Sequence, residues 1–324
     1  MSAGARVVRR TAWILSPGGA GLESQGRGVA EMLDLDAVLK RLDVRLPWRH
    51  LPGALWTDPL RAPARSSDSL APPWPDVVIS CGKLAAPIAA TIRRRAAGRV
   101  KVVQIQRPRM PTRHFDVVVV PRHDALAGDN VVATVGAIHD VTAEKLAAAA
   151  RRWAEAFHNL PRPLVGVLVG GSNGRHVLNV AVVNALMRQL AGMCRRTGAG
   201  LAVTPSPRTG AANEVALARG VAGLPAYVWD GRGDNPYLGI LALSAALVVT
   251  EDSVSMVSEA LSTGKPVHVV ALPGRSLRLG RFQDTLKNLG YTRPFTGALE
   301  QWTYPVPDDT RRVAALCRAR FGWA

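Results

Sequence analysis

Short apolar runs recur along the chain, each followed by a glycine-rich or polar turn and then by a helical pattern. Runs of this length, rich in Val, Ile and Leu, are typical of strands that are buried on both faces of a parallel sheet. The pattern predicts two helices in the first half of the chain, over 26–33 and 84–95. It predicts strands there at 12–15, 77–80, 101–105, 117–120 and 131–134. This alternation indicates an α/β fold.

A segment rich in proline and tryptophan interrupts the first half. Residues 47–75 carry seven prolines together with Trp48, Trp56 and Trp74. This composition excludes a regular helix or a central strand. Two interpretations are open, an ordered excursion over the surface or a flexible linker. The tryptophans favour the ordered excursion, because large aromatic side chains gain most from packing.

A domain boundary is predicted near the middle of the chain. An alanine-rich helix over 142–158 is followed by Asn159-Leu160-Pro161-Arg162-Pro163. After it the strand pattern restarts, at 164–169, 201–204, 226–229, 247–249 and 266–270. We therefore predict two doubly wound domains, residues 1–158 and 159–324, that face a cleft. A last helix, about 308–320, is compatible with packing on either domain, including back onto the first.

Composition excludes a disordered chain and leaves two explanations for the basic charge. Of the 324 residues, 48% are hydrophobic and 20% are charged, which suits globular domains. The net charge is +17, and 35 of the 41 basic residues are arginine. A GC-rich coding bias would explain this excess of arginine. Selection for binding nucleotides or an anionic membrane surface explains it equally well. Aromatic residues make up only 5%, without an aromatic–arginine stacking signature, which argues against nucleic acid.

The cysteine and hydropathy patterns predict a cytoplasmic protein. Cys81, Cys194 and Cys317 each lie more than a hundred residues from the next, which excludes a CxxC metal pair and a disulfide framework. The apolar run at 12–15 is too short for a signal peptide. The longest apolar run, 239–249, is about half the ~20 residues that span a bilayer. Membrane contact is therefore expected only as peripheral binding at the inner membrane surface, an expectation that rests on charge.

The first of four candidate turns in the second half is rich in glycine. Ligands of open α/β sheets bind where strands end at their carboxyl edge. Gly170, Gly171, Ser172, Asn173 and Gly174 follow a predicted strand and precede a helix. Glycine lets backbone amides approach an anion, and a helix start adds partial positive charge. The turn lacks a Walker or G-x-G-x-x-G pattern, so a phosphate site and a merely tight turn are both open.

The second turn is rich in hydroxyl groups. Thr204, Ser206, Arg208 and Thr209 lie between another predicted strand and helix. Their hydroxyl groups are suited to capping that helix. The Arg208 guanidinium beside them is suited to a phosphate or carboxylate, which favours a binding role.

The third turn, 230–237, contains two glycines, Asn235 and a proline. Its position after a strand places it at the same sheet edge as the other turns. A ligand-binding loop and an ordinary loop with favourable turn residues are both compatible with this pattern.

The fourth turn carries the most informative pattern. Asp252 and Ser253 follow a predicted strand, and Ser253 is suited to cap the next helix. Ser255 and Glu259 are four residues apart and therefore share a helical face. A helix start for a diphosphate and a carboxylate one turn further for a ribose diol would hold a nucleoside diphosphate. The alternative is an amphipathic helix with a solvated Glu259.

In the first domain, 16–25 and 121–124 follow predicted strands. His123 and Asp124 are candidate general bases toward a bound acceptor. A structural role for the histidine is the alternative. The remaining histidines show no ligand spacing, so no metal site is predicted.

Six segments together resemble the plant mitochondrial-fission ELM family and its bacterial homologues. They lie at 103–124, 130–140, 165–176, 203–210, 228–267 and 293–302, and the similarity extends over about residues 12–320. The most specific stretch is TEDSVSMVSEA with the preceding NPY loop. The resemblance implies a GT-B-like fold of two Rossmann-like domains, similar to nucleotide-sugar glycosyltransferases. It also implies, for the plant members, recruitment of a dynamin-related protein to the organelle surface.

Two functions follow as hypotheses from different classes. The first is transfer of a sugar from a nucleoside diphosphate to an unknown acceptor, without a metal, since helix dipoles and basic side chains can stabilise the leaving diphosphate. No cofactor is expected, and the nucleotide sugar is the substrate. The second is a non-catalytic adaptor of the same fold that docks on protein or an anionic membrane. Fold alone does not decide between them, and the oligomeric state is not indicated.

Overall fold

The computed structural model describes residues 9–323, which form two compact units. The first unit comprises Met1–Asp140 and Asp308–Ala324, and the second comprises Val141–Pro307. Residues 1–8 and 324 lie outside the described part, so the start of the N-terminus, for which no signal peptide is predicted, is not described. Within residues 9–323 no helix is both long and apolar enough to cross a membrane.

The first unit is built on a six-stranded sheet whose order is β2-β1-β3-β4-β5-β6. Every neighbouring pair of strands is parallel. Strand β2 lies on one side of β1, and β3 to β6 follow on the other side. The strand order therefore reverses between β1 and β3. The five predicted strands are present. The edge strand β2 was not predicted, because its residues are exposed or half-buried and the apolar run is short. The strands are β1 (Thr11–Ser16), β2 (Asp36–Arg41), β3 (Val77–Cys81), β4 (Lys101–Ile105), β5 (Val117–Pro121) and β6 (Val131–Thr134).

The second unit contains another six-stranded parallel sheet, with the order β12-β11-β10-β7-β8-β9. Counted from β7, the order reverses between β7 and β10, as in doubly wound Rossmann-type sheets. The short edge strand β12 was not predicted. The strands are β7 (Leu164–Val169), β8 (Gly200–Pro205), β9 (Ala226–Val228), β10 (Ala246–Thr250), β11 (Val267–Val270) and β12 (Thr292–Pro294).

Helices follow most strands and cover both sheets. Apolar side chains of helices and strands pack into buried clusters in each unit. The helices are α1 (Ala20–Met32), α2 (Ala86–Arg95), α3 (Ala143–Trp153), α4 (Val180–Thr197), α5 (Ala211–Gly220), α6 (Tyr237–Leu243), α7 (Val254–Leu261), α8 (Leu277–Asn288) and α9 (Asp309–Phe321).

Helix α1 begins six residues earlier than the predicted helix over 26–33. Gly18 and Gly19 form the turn before it with φ of +100° and +98°. Gly26 and Gly28 lie inside the helix, where a Cβ atom would come within 2.4 Å of the Ile14 side chain and 2.2 Å of the His139 carbonyl oxygen, respectively. The glycines therefore permit close packing of α1. The helix also extends back over residues 20–25, which the sequence pattern did not assign to a helix.

The segment 47–75 is an ordered excursion, as the first interpretation predicted. Trp56 is buried, and Trp48 and Trp74 pack against the same apolar cluster of the first unit. The Trp48 and Trp56 ring centroids are 5.9 Å apart. The tryptophans therefore fix this segment against β3, β4 and α2 rather than leaving it as a linker.

The unit boundary precedes α3, whereas the sequence placed it after this helix. Trp153 packs against Gly239 of α6, and the Phe157 ring lies 5.1 Å from that of Tyr227. These contacts join α3 and the turns after it to the second unit. The proline-rich signal at 159–163 marks the start of β7, but it does not reveal which sheet the preceding helix covers.

Helix α9 packs within the first unit. Val313, Cys317 and Phe321 are buried in a cluster with Val29 and Leu33 of the α1 region. Asp309 accepts hydrogen bonds from the amides of Val135 and Gly136, at 2.8 and 3.2 Å. The chain therefore returns to its first unit at the end, one of the two placements that the sequence allowed.

We expect Phe321→Ala to lower the unfolding free energy of the first unit by about 3–5 kcal/mol, because the substitution leaves a cavity under α9. Leu316→Ala, on the exposed side of the same helix, is the control and is expected to cost less than about 1 kcal/mol. Urea unfolding followed by tryptophan fluorescence measures both, since Trp323 contacts Phe321. Equal losses would contradict the packing of α9 on the first unit.

Candidate functional site

The candidate site lies where the strand order of the second sheet reverses. In the sheet, β7 lies between β8 and β10, so the loops after these three strands end side by side at the carboxyl edge. Neighbouring strands are about 4.8 Å apart, which brings the first, second and fourth predicted turns within contact distance. Crevices at such reversals are where ligands bind in open α/β sheets.

A buried carboxylate connects these turns. The Asp252 side chain has no exposed surface. It accepts hydrogen bonds from the Gly171 amide at 3.1 Å and the Thr250 hydroxyl at 2.7 Å. The same hydroxyl accepts a hydrogen bond from the Gly170 amide at 2.8 Å. The two amides predicted to approach an anion are therefore already bonded to groups of the chain itself.

Close packing explains the glycines of the first turn. A Cβ atom on Gly170 would lie 2.2 Å from Asp252 Oδ1, and one on Gly171 would lie 1.9 Å from the Arg208 carbonyl oxygen. Neither position has room for a side chain. The tight-turn alternative therefore accounts for the absence of side chains at Gly170 and Gly171, whose amides bond to groups of the chain itself.

Arg208 is fixed across the same point. Its guanidinium donates to Asp252 Oδ2 at 2.7 Å and more weakly to the Gly171 carbonyl oxygen at 3.4 Å. Asp252 is buried, so this ion pair supplies a cation that the carboxylate needs. The Arg208 side chain is nevertheless 43% exposed. A positive group with a fixed orientation therefore faces solvent at the edge of the sheet.

The other residues of the second turn stabilise its shape. Thr209 is buried, and its hydroxyl lies 2.5 Å from the Gly170 carbonyl oxygen and accepts from the Ser206 amide at 2.9 Å. Ser206 Oγ accepts a hydrogen bond from the Arg208 amide at 3.2 Å. Thr204 is buried at the end of β8. Among these residues Ser206 is half-buried, whereas Thr204 and Thr209 face the interior.

Ser172 and Asn173 are exposed and shape the loop before α4. Ser172 Oγ accepts from the Leu178 amide at 2.9 Å and donates to the Leu178 carbonyl oxygen at 3.1 Å. Asn173 Oδ1 accepts from the amides of Arg175 and His176, both at 2.9 Å. Both side chains thus hold the backbone of the loop in a defined conformation.

The fourth turn starts α7 as predicted. Ser253 caps the helix, with Oγ accepting from the Met256 amide at 3.3 Å, and Ser255 is half-buried in the first turn. Glu259 is only 7% exposed, so the alternative of a solvated Glu259 is wrong. Its Oε2 accepts a hydrogen bond from the Tyr237 hydroxyl at 2.5 Å.

The third turn contacts the fourth through Tyr237. Asn235 is exposed, and its Oδ1 accepts from the Tyr237 amide at 2.9 Å. This bond fixes the start of α6, from which the tyrosine reaches Glu259. Asn235 therefore contributes to the site indirectly, by fixing the backbone at Tyr237.

Sequence reasoning missed Thr250, Tyr237 and the pair His176–Glu251. His176 Nε2 lies 3.9 Å from Glu251 Oε1, and the same oxygen accepts from the Leu272 amide at 2.7 Å. Thr250 belongs to the TED motif and Tyr237 to the NPY motif, and these motifs were the sequence signal that could have identified them. Thr250 contacts Gly170, 80 residues away, and Tyr237 contacts Glu259, 22 residues away, so the motifs did not reveal these roles.

His123 and Asp124 lie in the first unit, in a short turn directly after β5. His123 Nε2 is 3.8 Å from Asp124 Oδ1, and both side chains are almost completely buried. This separation is longer than a hydrogen bond, so the geometry does not show Asp124 orienting the imidazole as it would orient a general base. Within residues 9–323 no group of three or more His, Cys, Asp or Glu side chains could hold a metal ion.

A family model described as "Mitochondrial fission ELM1" matches residues 20–321. The chain belongs to this family. The Mitochondrial fission protein ELM1 of Arabidopsis thaliana is 37% identical over 284 residues, which cover 77% of this chain and 65% of that protein. The chain thus spans somewhat less than two thirds of that relative's length.

Solved structures show that this family member has a GT-B-like fold. The UDP-GlcNAc 2-epimerase of Methanocaldococcus jannaschii superposes with a TM-score of 0.52 at 11% identity, covering 95% of this chain and 91% of that one. Os79 from O. sativa, solved in complex with UDP, gives 0.52 at 12% identity, covering 96% and 91%. At such low identity the likeness concerns the fold alone.

Lys265 binds carbonyl groups near the end of α6, the helix that carries Tyr237. Its Nζ donates to the carbonyl oxygens of Leu241 and Ala242, at 2.7 and 2.6 Å, near the end of α6. Burial lowers the pKa of Lys265 from 10.5 to about 8. The charged form is therefore disfavoured in the folded protein, because its hydration is lost.

We expect Gly170→Ala to destabilise the second unit by about 1–3 kcal/mol, because the new methyl group meets the Asp252 carboxylate. Gly174→Ala is the control in the same loop. A Cβ atom at Gly174 would have no described atom within 4 Å, so a change within about 0.5 kcal/mol is expected. Urea unfolding of both variants measures the difference. A loss from Gly174→Ala as large as that from Gly170→Ala would contradict the close approach to Asp252.

We expect the stability of the wild-type protein to fall relative to Lys265→Met as pH drops from about 10.5 to about 8. In this window the unfolded chain keeps the Lys265 proton and the folded chain loses it, so the unfolded state binds more protons and stability rises with pH. Below pH 8 both states bind it and the difference is constant. Urea unfolding across this range measures the effect. A flat difference would contradict the lowered pKa of Lys265.

Proposed function

We propose that this protein binds a nucleotide sugar at the carboxyl edge of its second sheet and transfers the sugar to an acceptor. The observation that carries the proposal is Arg208, which Asp252 fixes with an exposed face at the point where the strand order reverses. Fold neighbours such as Os79, solved with UDP, support the ligand class.

The diphosphate would bind to Arg208 and the starts of α5 and α7. Helix α5 follows Gly210, whose φ is +83°, and no side chain caps its first turn. Helix α7 starts one strand beyond β7 on the other side, after Ser253. Helix starts carry partial positive charge, and a guanidinium forms charge-assisted hydrogen bonds with phosphate oxygens. The half-buried hydroxyls of Ser206, Ser253 and Ser255 would supply further donors.

The ribose would bind to Glu259. A carboxylate accepts several hydrogen bonds, so a ribose hydroxyl can donate to Glu259 in addition to Tyr237. The Tyr237 hydroxyl orients the carboxylate, and Asn235 orients Tyr237 in turn. Three residues from two turns would thus define the ribose position.

Chemistry would proceed without a metal. The acceptor oxygen or nitrogen attacks the anomeric carbon, and the bond from that carbon to the diphosphate breaks. Arg208 and the two helix starts stabilise the negative charge on the departing diphosphate. The acceptor loses its proton to a general base, for which His123 and Asp124 of the first unit are the candidates predicted from the sequence.

A second function is favoured by the way the turns bond to each other. Asp252 accepts hydrogen bonds from the Gly171 amide and from Arg208, so these polar groups have hydrogen-bond partners without a ligand. A non-catalytic adaptor needs no more than this. The adaptor would use the fold as a rigid scaffold for protein or membrane contacts, in keeping with the fission protein among its relatives.

We expect UDP, GDP or ADP, or one of their sugars, to raise the thermal unfolding temperature of the second unit. A ligand at a hundred times its dissociation constant stabilises a protein by about 2.7 kcal/mol. A thermal-shift series with all three diphosphates measures this and identifies the base. No shift with any of them at millimolar concentration would overturn nucleotide binding and favour the adaptor.

Variants of the protein, assayed with any nucleotide that binds, would test the site. Arg208→Ala should weaken binding about tenfold or more, since charge-assisted hydrogen bonds contribute about 1.5–3 kcal/mol. Because this variant leaves Asp252 without its cation, Arg208→Lys serves as a second variant that retains the charge. Arg219→Ala, exposed at the far end of α5, is the control. Equal affinity in all variants would overturn the role of Arg208.

A further inference from the structure

Residues 45–57 form a lobe on the first unit, here called the leucine lobe, in which the usual distribution of side chains is inverted. Trp56 is buried and Trp48 is half-buried. The leucines instead point outward, with Leu46 69%, Leu51 38% and Leu55 62% exposed. Single exposed leucines are ordinary, but three within ten residues form a local apolar surface.

Hydrogen bonds hold the leucine lobe in one conformation. The Leu51 amide donates to the Pro47 carbonyl oxygen at 3.3 Å, and the Leu55 amide donates to that of Pro52 at 2.9 Å. The Trp56 indole donates to the Leu51 carbonyl oxygen at 3.3 Å, which joins the two turns. The exposed leucines therefore project from a fixed backbone.

The lobe is also anchored to the body of the unit. At Gly53 a Cβ atom would lie 2.6 Å from the Pro87 ring of α2, so the backbone touches that helix directly. Trp48 and Trp56 pack into the cluster that contains Ile88 and Ile92. Its outward surface is thus set by the fold of the first unit.

The charge around the lobe is positive. Arg45, Arg49 and His50 lie within it, and no acidic residue occurs between Asp43 and Asp58. Asp58 forms ion pairs with Arg61 at 3.3 Å and Arg95 at 3.1 Å. The one acidic side chain that follows the lobe is therefore neutralised by arginines that belong to neighbouring elements.

We propose that the leucine lobe docks on the surface of an anionic phospholipid bilayer. Leu46, Leu51 and Leu55 would enter the boundary between headgroups and acyl chains, and Arg49 would bind lipid phosphates. Apolar side chains beside arginines are the combination that binds such surfaces. Hot spots of protein interfaces are instead enriched in Trp, Tyr and Arg, with leucine under-represented, and here the tryptophans face inward while leucines make the exposed surface.

This docking does not depend on the proposed sugar transfer. The leucine lobe belongs to the first unit, whereas Arg208, Asp252 and Glu259 belong to the second. Substitutions in the lobe therefore leave the proposed nucleotide site intact, and failure of either proposal leaves the other standing.

The test is co-sedimentation of the full chain with lipid vesicles. The protein should bind vesicles of equal parts phosphatidylcholine and phosphatidylglycerol and not vesicles of phosphatidylcholine alone. Binding should weaken when salt rises from about 0.1 M to 1 M, as the Debye length falls. Absence of binding to anionic vesicles would overturn the proposal and leave an acidic protein partner as the occupant to examine.

Variants locate the binding surface. The triple variant Leu46→Ser, Leu51→Ser, Leu55→Ser should lower vesicle affinity about tenfold or more. Arg49→Glu should lower it at least about fivefold, because each arginine near an anionic surface contributes about 1 kcal/mol. Leu277→Ser, in the second unit, is the control, since Leu277 is 71% exposed and also lies beside arginines. A loss from Leu277→Ser equal to that of the triple variant would overturn the assignment to the lobe.

A fluorescent probe gives an independent readout. The native cysteines Cys81, Cys194 and Cys317 are buried, so a thiol introduced by His50→Cys can be labelled selectively with a polarity-sensitive dye. Its emission should shift to the blue on anionic vesicles. A label at Leu289→Cys, exposed just after α8, should show no shift. No shift at position 50 while the protein sediments with vesicles would also overturn docking through the lobe.

Discussion

The arrangement of the second unit's carboxyl edge depends on one buried charge. A carboxylate without exposed surface is unstable unless hydrogen bonds and a cation compensate its lost hydration. Asp252 obtains these from the Gly171 amide, the Thr250 hydroxyl and the Arg208 guanidinium. These donors come from the ends of three neighbouring strands and the loops that follow them, so the carboxylate holds those loops in one relative position.

This constraint separates residues that shape the edge from residues that can meet a ligand. Gly170 and Gly171 have no side chain because Asp252 and Arg208 occupy the space beside them. Arg208 both neutralises Asp252 and retains an exposed face. Glu259 is also fixed from within the chain, since one of its oxygens accepts a hydrogen bond from the Tyr237 hydroxyl. A ligand at this edge would therefore meet groups that also stabilise the loops.

Arginines at different positions have different roles in this protein. Arg93 pairs with Asp116 and Arg27 pairs with Asp140, and both pairs connect elements within the first unit. Arg208 performs a similar task in the second unit. Arg49, in contrast, is exposed in a lobe that contains no acidic residue. The number of arginines is compatible with a coding bias, whereas their partners within the chain distinguish stabilising arginines from exposed ones.

The sequence by itself determined the parallel sheets and the turns that carry the site. Strands buried on both faces need continuous apolar runs, so β3, β5 and β10 were visible, while the edge strands β2 and β12 were not. Only the tertiary structure decided which groups those turns leave available. Gly171 meets an acceptor 81 residues away, and local periodicity carries no information about such a pair. The leucine lobe is similar, because in short turns it is packing, not a repeating pattern, that directs tryptophans inward and leucines outward.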